Sequence, residues 1–172
     1  MSGGTPKLDP LPPLAVVDID GVVADVRHRL HFVERRPKDW DGFFGAAASD
    51  PAHPEGLAVV ARLAEDHDIV FLTGRPSRLR DVTQAWLDRH RLGGHALHMR
   101  SERDRAPARV VKPAVLARLA AGRTVGVVVD DDPDVLTAMA SRGWPTFLAD
   151  WERRDQAATD ALHDAQQTDG RT

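Results

Sequence analysis

Three short apolar runs punctuate the chain, Leu14–Val17, Ile69–Leu72 and Val125–Val129, and each gives way at once to a polar residue, Asp18, Thr73 and Asp130. Runs of this length bounded by polar residues predict strands buried on both faces, as in a parallel sheet covered by helices. Between the runs the apolar spacing turns helical. Leu57, Val60, Ala61 and Ala64 predict one inward stripe, Leu79, Val82 and Trp86 a second, and Leu116, Leu119 and Ala120 a third. A last helix is predicted to open with Asp132 as N-cap and Pro133 at its first position, to turn Leu136, Met139 and Ala140 inward, and to stop at Gly143. Strand and helix alternate throughout, which predicts an α/β protein with a doubly wound, Rossmann-like parallel sheet. Ligands of such sheets sit beyond the carboxyl ends of the strands, where Asp18, Thr73 and Asp130 converge.

Composition limits this picture. The 172 residues, 42% hydrophobic and 28% charged, suit one domain with a core and exclude two large ones. The apolar runs are far shorter than the roughly 20 residues of a membrane helix, so no membrane is expected as a partner. Met1–Pro13 lacks the apolar stretch of a secretory signal, and the expected location is cytoplasmic. With no cysteine, a metal must be held by oxygen or imidazole. Residues 1–13, with two glycines and four prolines, read as a flexible arm, residues 14–151 as the working domain, and residues 152–172 as a polar tail. The net charge of -3 argues against a protein whose whole surface grips nucleic acid. No pattern specifies an oligomeric state.

Candidate chemistry gathers at the strand ends. Asp18-x-Asp20 places two carboxylates on one side of the first strand end, and Gly21 lets the backbone turn sharply beside an anion. Spacing alone is weak, because Asp-x-Asp starts at Asp18, Asp39, Asp66, Asp130 and Asp132, and a turn-capping role fits the pair equally well. Thr73-Gly74-Arg75-Pro76 is predicted to open a helix and to offer a hydroxyl and backbone N–H groups to a phosphate; an ordinary helix start fits too. Asp130-Asp131-Asp132-Pro133-Asp134 crowds further carboxylates near Asp18. Two unit charges ~4 Å apart repel by ~4 kcal/mol at an effective dielectric near 20, and a hard divalent cation, most simply Mg2+, removes that strain. Lys112, just before Pro113 and a predicted helix, is either solvated or placed to hold nucleophile and phosphate together.

The order Asp-x-Asp, Thr, Lys, Asp-Asp, each at its strand end, resembles the haloacid dehalogenase-like superfamily of aspartate-nucleophile phosphotransferases, over Leu14 to about Trp151. The resemblance implies that Asp18 attacks phosphorus and carries an aspartyl phosphate, and that Asp20 is general acid and then general base. It also implies that Thr73 holds phosphoryl oxygens, that Lys112 neutralises charge, and that Asp130 and Asp131 complete a Mg2+ site with Asp18 and Asp20. A narrower likeness lies in Asp18-Ile-Asp20-Gly21-Val-Val-Ala24-Asp25-x-x-His28-Arg29, Lys38-Asp39-Trp40-Asp41-x-Phe43-Phe44, Leu72-Thr73-Gly74-Arg75, and Met99-Arg100 ahead of Val110-Val111-Lys112. These segments resemble the 3′-phosphatase domain of bacteriophage-type polynucleotide kinase-phosphatases. The likeness implies that Gly21, Arg29, Gly74 and Arg75 bind substrate.

Ala106 and Ala108 stand where that domain commonly carries an arginine and an aspartate. A phosphate-binding Gly-x-x-x-x-Gly-Lys-Ser/Thr loop does not occur in the sequence, so the kinase half of the resembling proteins is not expected here, and a separate kinase or ligase partner is left open. Residues 22–54 leave room for a small cap insertion only. The site is therefore expected to be open to a large substrate such as a phosphorylated nucleic acid end, or to a small phosphate ester. Met99–Lys112 carries five basic residues against two acidic ones, so Arg100 and Arg103 either follow a phosphate backbone or belong to a solvated loop. A receiver-type phosphoacceptor domain uses similar residues but separates its acidic pair from the accepting aspartate, whereas Asp18 and Asp20 share one strand end.

Overall fold

Apolar stretches that cannot be left in water form the five-stranded sheet of the computed structural model, which describes residues 11–154. The strands β1 (Leu14–Val17), β2 (Asp68–Pro76), β3 (Ala96–Arg100), β4 (Val125–Asp130) and β5 (Thr146–Leu148) are all parallel, in the order β3-β2-β1-β4-β5. β1 is central and buried at every residue. From β1 the chain winds outward to β2 and β3, then returns to the other side for β4 and β5. That reversal opens a crevice between the carboxyl ends of β1 and β4.

Alternate side chains of the strands face opposite layers. Ala15, Val17, Ile69 and Phe71 pack with Val60 of α3 (Pro54–Leu63) and with Trp86 and Leu87 of α4 (Arg80–Arg89). Leu14, Val16, Val70 and Leu72 pack with Leu116 of α5 (Ala108–Leu119) and with Leu136 and Met139 of α6 (Pro133–Ala140). Asp132 caps α6 by accepting from the N–H groups of Asp134 and Val135, and Gly143 takes the positive φ that ends the turn beyond it. No helix among the described residues is long and apolar enough to cross a membrane.

Several expected details shift. β3 and β5 carry no long apolar run, because each lies at a sheet edge; β3 keeps only Leu97 and Met99 in alternation and β5 has three residues. Ala61, Ala64, Val82 and Ala140 face solvent. In the same helices Gly56, Thr83, Leu87 and Val135 are buried instead. The phase of α3 is set by Gly56, where an added Cβ would lie 2.0 Å from the Val22 carbonyl oxygen. Gly56→Ala should therefore force α3 off the loop that follows Asp18 and cost about 1–3 kcal/mol, with a lowered thermal midpoint. Thr73–Pro76 does not open a helix: it continues β2 beside β3, with a register shift between Thr73 and Pro76, and α4 follows a 3-10 turn at Ser77–Leu79. Nor does Pro113 start a helix. α5 begins at Ala108, so Lys112 and Pro113 lie inside it.

The chain between β1 and α3 holds the insertion, within the expected span of residues 22–54. Its helices α1 (His31–Glu34) and α2 (Trp40–Gly45) bury a small core of Val26, Leu30, Val33, Trp40, Phe43 and Phe44. The stem is sealed to itself by an Ala24–Ala52 bridge, the Asp25 N–H to Pro51 carbonyl bond and the His53 N–H to Val23 carbonyl bond. Most of the expected arm (1–10) and of the expected tail (155–172) lies outside the described residues. Where the ends are described they are tied down. Pro13 accepts from the Asp68 N–H, Pro12 from Arg123, and Glu152 is buried against His53, because each supplies an oxygen that a neighbouring donor requires.

Candidate active site

β1 and β4 end side by side, and each delivers its first polar residue into the crevice. Asp18 and Asp130 are buried there, and Asp131 follows directly. Lys112 reaches them from α5, its Nζ 2.8 Å from an oxygen of Asp18 and 2.8 Å from an oxygen of Asp130. The other oxygen of Asp130 accepts from the Asp132 N–H at 3.0 Å. Asp18 Oδ1 and Asp131 Oδ1 are buried with no hydrogen-bond partner. Gly21 makes room for this arrangement, since its φ is +76° and an added Cβ would lie 2.3 Å from Asp131 Oδ2.

The electrostatics follow from that geometry. Burial pushes the Asp18 carboxyl up to about 7, helped by Asp130 and Asp20 and opposed by Lys112. Burial, then Asp130 and Asp18, raise Asp131 well above the usual carboxylate range. Burial would lower the Lys112 ammonium, but Asp130 and Asp18 outweigh it and hold the proton on. Ligand oxygens of Asp18, Asp130 and Asp131 all lie within 4.8 Å of one another. Three buried carboxylates, two of them with a bare oxygen, and one ammonium fit a hard divalent cation, which takes oxygen donors and neutralises the excess charge.

Asp20 belongs to a different group. Its carboxylate turns from that trio to two buried guanidiniums: Oδ1 accepts from Arg29 at 2.8 Å and from Arg75 at 2.6 and 3.0 Å. Burial alone would raise Asp20, but Arg75 and Arg29 prevail and bring it down to about 2. Sequence reasoning did not find the residue that completes the group. Asp50, at the end of the insertion, accepts from both Arg29 and Arg75. No motif marks it; the available signal was that two arginines destined for burial need a second carboxylate.

The remaining candidates divide. Thr73 is buried at the end of β2 with its hydroxyl accepting from the Arg75 N–H at 3.2 Å, and Gly74 is buried between them. Arg100 is buried and donates to the Ala106 carbonyl oxygen, its Nε and Nη2 unpartnered. It lines a cleft with Phe44, Pro76, Arg78 and Arg105, whereas Arg103 stands exposed outside that lining. Ala108 packs into the core rather than facing the cleft. A further group of Asp25, His53 and Glu152 lies behind the insertion stem, where Arg27 already holds both oxygens of Asp25.

A family model for the phosphatase domain of polynucleotide kinase PNKP matches residues 12–150. No curated protein matches the sequence. Among solved structures, a chain from a Pnkp1/Rnl/Hen1 complex has 22% identity and a TM-score of 0.63, over 80% of this chain and 46% of that one. A chain from a Pnkp1/Rnl/Hen1 RNA repair complex has 19% identity and a TM-score of 0.61, over 80% of this chain and 42% of that one. The present chain thus spans less than half the length of these two. A haloacid dehalogenase-like family hydrolase from Streptococcus pneumoniae has 10% identity and a TM-score of 0.51, over 80% and 84% of the two chains.

Proposed function

Since the chain belongs to the family of the polynucleotide kinase PNKP phosphatase domain, and is a haloacid dehalogenase-like hydrolase of phosphoric monoesters, we propose that it removes the 3′-phosphate from polynucleotide ends. The reading includes an aspartyl phosphate on Asp18 and Mg2+ as cofactor. One observation carries the chemistry: Asp18, Asp130 and Asp131 gather buried carboxylate oxygens within 4.8 Å of one another beside Lys112.

Asp18 forms the bond to phosphorus as the bond to the leaving oxygen breaks, and Asp20 gives that oxygen its proton. Asp20 then takes a proton from the water whose oxygen displaces Asp18 from phosphorus. In the free protein Asp20 is ionised, the state the second half needs. A phosphate dianion brought beside it raises its proton affinity and suits it to the first half. Thr73 and nearby backbone N–H groups hold phosphoryl oxygens, while Lys112 opposes the burial that favours the proton on Asp18 and aims its carboxylate. Asp18, Asp130 and Asp131 would hold Mg2+, which would supply neutralisation of the negative charge gathered during phosphoryl transfer.

The structural neighbours from RNA repair assemblies support a nucleic-acid substrate and a separate kinase or ligase partner. A smaller ester is favoured by one observation: Arg100 is buried and turned to the Ala106 carbonyl rather than standing free on the rim. A panel of 3′- and 5′-phosphorylated oligonucleotides, 3′-mononucleotides and phosphosugars decides between them. The expected result is the highest kcat/KM on the 3′-phosphorylated oligonucleotide, with the advantage shrinking as salt rises. Equal values for oligonucleotide and mononucleotide at low and high salt would assign the small ester. Activity should require Mg2+, vanish with chelator and be inhibited by Ca2+, whose larger and looser shell misplaces the nucleophile. Full activity in excess chelator would refute the metal assignment.

A further inference from the structure

Asp50 is among the most connected carboxylates of the protein, and the steps above leave it without a task. Its side chain is fully buried. Oδ1 accepts from Arg29 Nε at 2.7 Å and lies 2.8 Å from His28 Nε2, while Oδ2 accepts from Arg29 Nη2 at 2.8 Å and from Arg75 Nη2 at 2.7 Å. The backbone is fixed as well, because Trp86 of α4 donates its indole N–H to the Asp50 carbonyl oxygen at 2.8 Å. Arg29 is further held by the ring of Phe43, 4.1 Å from its guanidinium carbon.

The consequence shows at Asp20. Every arginine contact on that carboxylate falls on Oδ1, and Oδ2 is buried without a hydrogen-bond partner. Two guanidiniums free to follow attraction alone would spread over both oxygens, or turn to the nearby carboxylate of Asp18. Asp50 prevents this by holding, through Oδ2, the Nη2 of each arginine that also reaches Asp20 Oδ1, and two arginines with two aspartates close as a neutral buried quartet.

We infer that Asp50 is a positioning residue, which clamps Arg29 and Arg75 onto one oxygen of Asp20 and so reserves Oδ2 for the proton exchanged during phosphate transfer. The inference rests on the acid–base role given to Asp20 above. In the first half the O–H bond at Asp20 Oδ2 breaks, its proton goes to the leaving oxygen, and that oxygen keeps the electron pair of the broken bond to phosphorus. In the second half Oδ2 takes a proton from water as the water oxygen bonds to phosphorus and the Asp18 carboxylate is released. With Asp50 neutralised, the guanidiniums are free to cover Oδ2, and the proton loses its seat.

A purely structural Asp50 would serve all substrates alike, so the test varies the leaving group. A 3′-mononucleotide needs a proton on its departing alkoxide; dinitrophenyl phosphate expels an anion stable without one. The measured quantity is kcat/KM, which ends at the covalent phosphoryl enzyme and so omits the water step. For Asp50→Asn the value should fall roughly tenfold or more further on the nucleotide than on the dinitrophenyl ester, a difference within the usual range for a general acid. Asp50→Glu keeps the charge but moves it by one methylene, and should show the same selectivity. It decides the matter if circular dichroism shows Asp50→Asn unfolded. Equal losses on both substrates in the folded variant, or no loss, would overturn the inference. Asp20→Asn separates the two levels: if it too lacks leaving-group selectivity, the acid–base reading itself fails, whereas selectivity in Asp20→Asn alone overturns only the role of Asp50.

Discussion

Replacing Asp18 with asparagine should reduce turnover by at least a thousandfold, a barrier increase of about 4 kcal/mol, while the protein stays folded. An amide of the same size cannot form the bond to phosphorus, so no covalent phosphoryl species should be trapped from the variant. Retention of more than a tenth of the wild-type rate would remove Asp18 from the nucleophile role. The same substitution has a second, opposite signature in stability. Burial raises the Asp18 carboxyl from 3.8 to about 7, so the metal-free native state holds this proton more tightly than the unfolded chain does. The unfolded chain releases the proton first as pH rises. Asp18 therefore takes stability away between about pH 4 and 7, and the loss is complete above that window. Urea unfolding with chelator should show Asp18→Asn flattening this part of the stability profile, and Mg2+ should stabilise the wild type more than the variant.

The second large effect is expected at Lys112. Lys112→Met keeps the length and the packing of the side chain inside α5 but removes the cation that contacts both Asp18 and Asp130. Three buried carboxylates are then left to one another, and breaking a buried ion pair from one side typically costs about 3–5 kcal/mol. The variant should be close to unfolded in chelator at neutral pH and should recover structure with added Mg2+. Circular dichroism of the Lys112→Met protein across a Mg2+ titration would measure this. A fully folded metal-free variant would show that the carboxylates are held apart by something other than the ammonium.

The central strands were legible because burial on both faces leaves an unbroken apolar run: β1 is Leu14–Val17 in the sequence pattern and in the fold. An edge strand such as Ala96–Arg100 needs apolar residues on fewer positions, and its pattern fades into that of a loop. Helix phase was read less well where alanine filled the stripe. Ala61 and Ala64 satisfy a helical period on either face, and the close approach at Gly56 together with the packing of Val60 decides which face turns inward. Asp18, Thr73, Asp130 and Asp131 stood out because the chain stops being apolar at the strand ends, and Lys112, inside α5, only because of its place in the order of the motifs. Asp50 did not, because Arg29 lies 21 residues before it within the insertion and Arg75 lies on β2, so that only the fold brings the three together.

The sealed stem of the insertion has a consequence for how this protein can change. Arg29 and Asp50 sit just inside the stem, while the chain at Glu34–Pro37 is exposed. The insertion is thus a ring closed near its own base, and a ring already closed tolerates lengthening at the far side, each doubling of a flexible loop costing only about 0.6 kcal/mol. New sequence spliced at Glu34–Pro37 would extend the reach of the molecule toward a bulky ligand without disturbing the arginine–aspartate quartet below. Specificity can drift at the tip while the chemistry stays anchored at the base.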